Sequence, residues 1–136
     1  MNLTANFTKA ELQCRCGKCG LAVFHPGFLD ELQALRVEFA LSMVVTSGAR
    51  CKEHNDRPAK DGGAGGHVRS LHVCDQPQHP GQKGALAVDI RAVDGLYRGE
   101  LFSIAWRRGF SIGWGGTFLH LDRRDFVGLP KRSFNY

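Results

Sequence analysis

Residues 70–90 read SLHVCDQPQHPGQKGALAVDI: a histidine two places after a serine, a Pro/Gly-rich excursion, and an aspartate inside a run of small and β-branched residues. In the second half, period-two alternation places Leu86, Val88 and Ile90 on one face of a strand and Ala87, Asp89 and Arg91 on the other. Asp89 therefore leaves the core side and points across a surface floored by alanine. Aspartate is disfavoured in mid-strand, which favours a chemical role over a structural one. Histidine and aspartate are first-choice ligands for a divalent metal, and His120 in FLHLD can complete a set of three. Three protein ligands with a position left for water is the catalytic zinc pattern rather than the structural one.

On the C-terminal side, DGLYRGELFSIAWRR (94–108) has Leu101, Ile104 and Ala105 at helical spacing, with Asp94 as N-cap and Gly109 closing the helix. FSIGWGGTFLHLDRRDF then reads as strand, glycine-rich turn, strand. Along Phe118–Asp122 the alternation sends Leu119 and Leu121 one way and His120 and Asp122 the other, so two polar, ligand-capable side chains share a face.

On the N-terminal side, SGARCKEHNDRPAKDGGAGG (47–66) has turn composition and no hydrophobic period, which predicts a long irregular loop. Unstructured stretches longer than about 12 residues within a compact domain are usually functional or disordered. Arg50, just past a strand end, can clamp a carboxylate or an oxyanion through its fork of donors, or simply tie the loop down. His54 and Asn55 read as loop scaffolding. Met43–Thr46 predicts a short strand. In PGFLDELQALRVEFAL (26–41), Phe28, Leu32, Leu35 and Phe39 share one face of an amphipathic helix with Pro in its first turn.

Further out, Thr8 and Glu11 in NFTKAELQ have capping-box spacing, so a short helix starts at Lys9. It runs into CRCGKCG. Cys14, Cys16 and Cys19, with His25 or Cys51 as a fourth partner, can hold a second, structural zinc ion; free or partly oxidised thiols are the alternative.

At 136 residues and 43% apolar composition the chain is one domain's worth with a core of its own. A single domain over 1–136 is expected, with the Cys-rich segment 1–25 packed on it. The formal net charge of +5 suits a polyanion such as nucleic acid, an anionic membrane surface or a wall polymer, and does not choose among them. No run of about 18 apolar residues is present, and the first twenty residues lack the features of a signal peptide. A chain made in the cytoplasm without insertion into a membrane is therefore expected. Five cysteines, an odd number without an export signal, favour metal ligation or free thiols over a disulfide framework.

Taken together, SGAR with HN in the loop, SLH followed by GALAVDI, and FLHLD after GFSIGWGG resemble the zinc D-alanyl-D-alanine carboxypeptidase and phage L-alanyl-D-glutamate endopeptidase family, whose relatives include the VanX-type dipeptidases. The opening FTKAELQCRCG is similar to its small phage and prophage branch, and the resemblance covers about residues 7–126. It implies an α+β fold, a small antiparallel sheet flanked by helices, with one zinc site in a cleft on the sheet. It implies hydrolysis of peptide bonds in peptidoglycan stem peptides or cross-links, as a D,D-carboxypeptidase or an endolysin-like endopeptidase. The zinc ligands it implies are His72, Asp89 and His120, with Arg50 on the substrate carboxylate or the scissile carbonyl. The expected enzyme is a monomer that binds neither nucleic acid nor membrane and reaches the bacterial cell wall or periplasm after release.

Two departures from the family pattern matter. Sixteen residues lie between His72 and Asp89, so 73–82 holds an insertion; it makes His79 a rival ligand and brings Cys74 near the site. Many relatives carry a carboxylate three residues before the last zinc histidine, where this chain has Thr117. Asp122, on the strand face of His120, is then the candidate for the general base or for the group that orients the histidine. Two readings compete with the enzyme: a non-catalytic zinc module that binds wall peptides, and a zinc-knuckle protein that binds nucleic acid. The latter lacks aromatics interleaved with its basic residues.

Overall fold

Thr8 opens the first helix of the computed structural model, which describes residues 1–136. The Thr8 hydroxyl accepts from the Glu11 N–H and the Glu11 carboxylate accepts from the Thr8 N–H, so the capping box forms around α1 (Lys9–Leu12). Helix α2 (Pro26–Phe39) has Pro at its start and buries Phe28, Leu32, Leu35 and Phe39, the stripe its spacing predicts. His25 caps it: Nδ1 accepts from the Gly27 N–H at 3.0 Å.

Strand β1 (Val45–Ser47) leads into a segment that is not the irregular loop expected. It contains a helix, α3 (Lys52–Asp56), and a single 3-10 turn at Ala59–Asp61. Helix α3 is too short to show a period. What starts it is Cys51, whose Sγ accepts from the His54 N–H. After the inserted loop come β2 (Ala87–Arg91), α4 (Gly95–Arg107), β3 (Ser111–Trp114), β4 (Phe118–Asp122) and β5 (Ser133–Asn135). Asp94 caps α4 by accepting from the Tyr97 N–H, and Gly109, at φ +101°, turns the chain after it.

The five strands form one sheet in the order β1-β2-β4-β3-β5. All neighbours are antiparallel except β3 and β5, which run parallel. The fold is thus α+β, with a mostly antiparallel sheet. The parallel strand β5 is an addition to the expected sheet; its residues are largely exposed and carry no alternation long enough to reveal it.

Register separates the two faces. Val88 pairs with Leu121 and Leu121 with Ile112, a row that faces the helices. There it joins Phe28, Leu32, Leu35, Leu101 and Phe110 in one apolar core, each such side chain contributing about 1.5–3 kcal/mol by leaving water. The neighbouring rows, Asp89–His120–Gly113 and Ala87–Asp122–Ser111, face the other way. Phe7, Leu12 and Phe24 belong to the same core, so residues from the Cys-rich segment pack on the body of the fold. No helix is long and apolar enough to cross a membrane.

Candidate metal centre

Asp89 and His120 sit directly opposite each other on β2 and β4, so the pairing itself brings their side chains together. His72 arrives from the loop before the insertion, where the Ser70 hydroxyl accepts from the His72 N–H and shapes the turn. Three donor atoms converge: His72 Nε2 lies 3.2 Å from Asp89 Oδ1 and 3.2 Å from His120 Nδ1, and His120 Nδ1 lies 3.0 Å from Asp89 Oδ1. A tetrahedral zinc ion with ligands at about 2.0–2.1 Å needs donor edges of about 3.4 Å. Two imidazole nitrogens and one carboxylate oxygen at this spacing fit such an ion with little movement.

Each ligand-bearing ring is held by its other nitrogen. His72 Nδ1 donates to the Gly48 carbonyl at 2.7 Å, which leaves Nε2 free of a proton and aimed at the cluster. His120 Nε2 donates to Asp122 Oδ2 at 2.7 Å. Asp122 is fully buried and is gripped by Arg124, which donates its backbone N–H and Nε to Oδ1 and Nη2 to Oδ2. The carboxylate meets the cluster only through the His120 ring.

Arg50 spends its fork on three partners: Nη2 on Asp89 Oδ2 at 3.3 Å, Nη1 on Asn55 Oδ1 at 3.1 Å, and Nε on the Ser47 hydroxyl at 3.0 Å. Asn55 in turn donates to the His67 carbonyl, so it does act as loop scaffolding, with Arg50 as its load. Gly66 permits this packing, because a Cβ there would lie 2.2 Å from Asn55 Oδ1.

Charge follows from burial and partners. Burial would raise the Asp89 carboxyl, but the imidazoles of His72 and His120 beside it overcome burial and hold the group well below the usual carboxylate range. Burial would lower His120, yet its bonds to Asp122 and Asp89 push it up to about 9. Burial dominates at His72 and lowers it.

Asp89 and His120 line a cleft of about 940 Å³ that Arg50, Arg69, Arg124 and Arg132 also line, with His72 behind them. Arg50 and Arg124 are paired with Asp89 and Asp122, whereas Arg69 and Arg132 make no ion pair. The acids in the lining are Asp89 and Asp122 alone. Thr117 does not line it.

The C-terminal residues supply a part of the site that sequence reading missed. Tyr136 places its hydroxyl 3.1 Å from His120 Nδ1, and the rings of Phe134 and Tyr136 lie against the His120 imidazole. Burial, with the charge of Asp89, raises the phenol, so it keeps its proton. Gly113, opposite His120, makes the room: a Cβ there would sit 2.7 Å from both rings. That glycine on the site-facing row was the available signal.

His79 is not in the cluster. Its ring bonds to Arg69, through the guanidinium and the backbone carbonyl, and it borders the cleft from the inserted loop. Cys74 is a half-buried thiol pushed up to about 11 by burial. The other cysteines form a second group, Cys14, Cys16, Cys19 and Cys51, whose sulfurs lie within 4.8 Å of one another. Of the two fourth partners considered, Cys51 is the one present; His25 is occupied in capping α2 and packs on Phe126.

Among models of known families, the one described as Peptidase M15 matches residues 5–122, a span that includes both groups. Comparison with curated proteins and with solved structures found no match.

Proposed function

This chain belongs to the peptidase M15 family, a family of zinc metallopeptidases, and we propose that it hydrolyses peptide bonds in the stem peptides or cross-links of bacterial peptidoglycan. The observation that carries this reading is the convergence of His72, Asp89 and His120 beside a cleft whose two unpaired charges, Arg69 and Arg132, are positive. Wall peptides carry free carboxylates, which such a cleft attracts.

In this reading His72, Asp89 and His120 hold one zinc ion. Zinc in a three-ligand site acts as a Lewis acid toward a carbonyl and makes water a nucleophile near neutral pH. The protein's own groups do the rest. Gly48 and Asp122 fix the two rings in the orientation that points a bare nitrogen at the ion. Asp122 is a positioning residue that acts through His120; of the two roles open to it, this is the one its contacts favour. Arg50 sets a fixed positive charge beside Asp89, placed to neutralise a substrate carboxylate or the oxygen of the scissile carbonyl. The Tyr136 phenol offers a proton donor next to His120.

The enzyme reading is tested by incubating zinc-loaded protein with purified peptidoglycan and assaying new amino groups and free D-alanine. Release of amino groups that disappears in His120→Ala together with the zinc of this site is expected. No release from metal-loaded wild-type protein overturns it. A second reading, a non-catalytic wall-binding module, is favoured by one observation: neither acid of the lining is free to accept a proton from water. Retention on insoluble peptidoglycan without turnover supports that alternative.

A further inference from the structure

We infer that Cys14, Cys16, Cys19 and Cys51 form a second metal site, a tetrathiolate centre for zinc that clamps the N-terminal segment to the loop carrying Arg50. This does not rest on the peptidase reading.

Sulfur spacing is the first ground. Cys14 Sγ lies 3.8 Å from Cys51 Sγ, and Cys16 Sγ 3.4 Å from Cys19 Sγ. Zinc–thiolate bonds of about 2.3 Å span tetrahedral edges of about 3.8 Å, whereas a disulfide needs about 2.05 Å. All five cysteines are free thiols.

The second ground is independent of spacing. Every sulfur in the group accepts at least one backbone N–H. Lys18 and Cys19 donate to Cys16, Leu21 to Cys19, Cys51 to Cys14, and His54 to Cys51, at 3.3–3.4 Å. Amides converging on sulfur stabilise thiolate over thiol, and the thiolate is the form that binds metal. Gly17 and Gly20, at φ +77° and +62°, let the chain fold back so that these amides point inward.

The third ground is architecture. Between α1 and α2 lie thirteen residues, 13–25, without helix or strand. The cluster reaches from this knuckle to Cys51, which caps α3 and follows Arg50 directly. Helix α3 carries Asn55, which holds Arg50, and the Ala49 N–H donates to the Leu12 carbonyl two residues before Cys14. An ion at the four sulfurs would therefore brace the backbone on both sides of Arg50, and its loss would loosen that side chain without touching His72, Asp89 or His120.

The test counts metal in protein purified under reducing conditions with zinc supplied. Elemental analysis is expected to find two equivalents of zinc in the wild type and one each in Cys16→Ser/Cys19→Ser and in His72→Ala/His120→Ala. A mercurial that attacks thiolates should release one equivalent from the wild type and from the His double variant. With cobalt in place of zinc, the His double variant should show intense thiolate-to-cobalt charge transfer. If Cys16→Ser/Cys19→Ser fails to fold, the His double variant still decides. Zero equivalents and no charge-transfer band in that protein overturn the proposal, as does intact mass showing Cys14, Cys16, Cys19 and Cys51 joined in two disulfides. A wild type with one equivalent that the mercurial cannot release overturns the cysteine site alone and leaves the peptidase reading standing.

Discussion

The imidazole of His120 donates from Nε2 to Asp122 Oδ2 at 2.7 Å, on the side of the ring turned away from His72 and Asp89. That bond fixes the angle and tautomer of the His120 ring. Asp122→Asn is expected to weaken zinc binding at this site by about 10–100-fold, the usual effect of losing a partner that orients a ligating histidine. Chelator competition against wild type measures it. Unchanged affinity with abolished turnover would instead make Asp122 a proton acceptor in the reaction.

The same pair predicts a pH dependence. In metal-free protein His120 is pushed up to about 9, because its bonds to Asp122 and Asp89 outweigh burial. Nδ1 must shed its proton before it can ligate, so an ion binding below that value has to displace it. Zinc affinity is expected to fall by about tenfold for each pH unit below about 9. Zinc titrations at several pH values above the ordinary histidine range, about 6.5, check the slope. In Asp122→Asn the slope should flatten at lower pH, as His120 returns toward its ordinary value.

Arg50 serves Ser47, Asn55 and Asp89 at once through three different nitrogens. A lysine has one nitrogen and no fork. Arg50→Lys should therefore keep the zinc of the His72, Asp89, His120 site, yet lower kcat/KM on peptide substrate by about 10²-fold, the scale of losing one donor to a developing charge. Metal analysis beside steady-state kinetics separates the two. Loss of the metal would show that Arg50 mainly assembles the ligands.

Gly48 and Gly113 are both packed too closely for a side chain, but against different things. A Cβ on Gly48 would lie 2.4 Å from the Leu12 backbone oxygen, while one on Gly113 meets only the outer atoms of two rings near the C-terminus. Gly113→Ala should cost about 1 kcal/mol as the rings shift, and Gly48→Ala about 3 kcal/mol, toward the upper end for overpacking. Because the Gly48 carbonyl also holds His72, Gly48→Ala should weaken zinc binding as well. Thermal unfolding of the two variants gives the order.

Local order was legible wherever side-chain period and cap chemistry act over a few residues. Thr8 and Glu11, the stripe Phe28–Leu32–Leu35–Phe39, and the alternation through Asp89 and through His120 each follow from helix or strand geometry alone. Alternation also put Asp89 and His120 off the core side, since a buried apolar face leaves the polar residues only the other one; His72, on a turn, carried no such signal. Tertiary structure alone decided the partners. Asp89 meets His120 because β2 and β4 pair in that register, whereas Asp122, two residues on along the same strand face, was already put beside His120 by the pleat. The helix at Lys52–Asp56 and the strand at Ser133–Asn135 were not legible: one is started by a cysteine cap, the other by pairing along β3, and neither is long enough to carry a period. Cys51 in place of His25, and Tyr136 over His120, depend on contacts between residues far apart in the chain. Sequence determined which strand residues could do chemistry and which way they face; the distances between them came only from how the strands pair and where the loop carrying His72 lies.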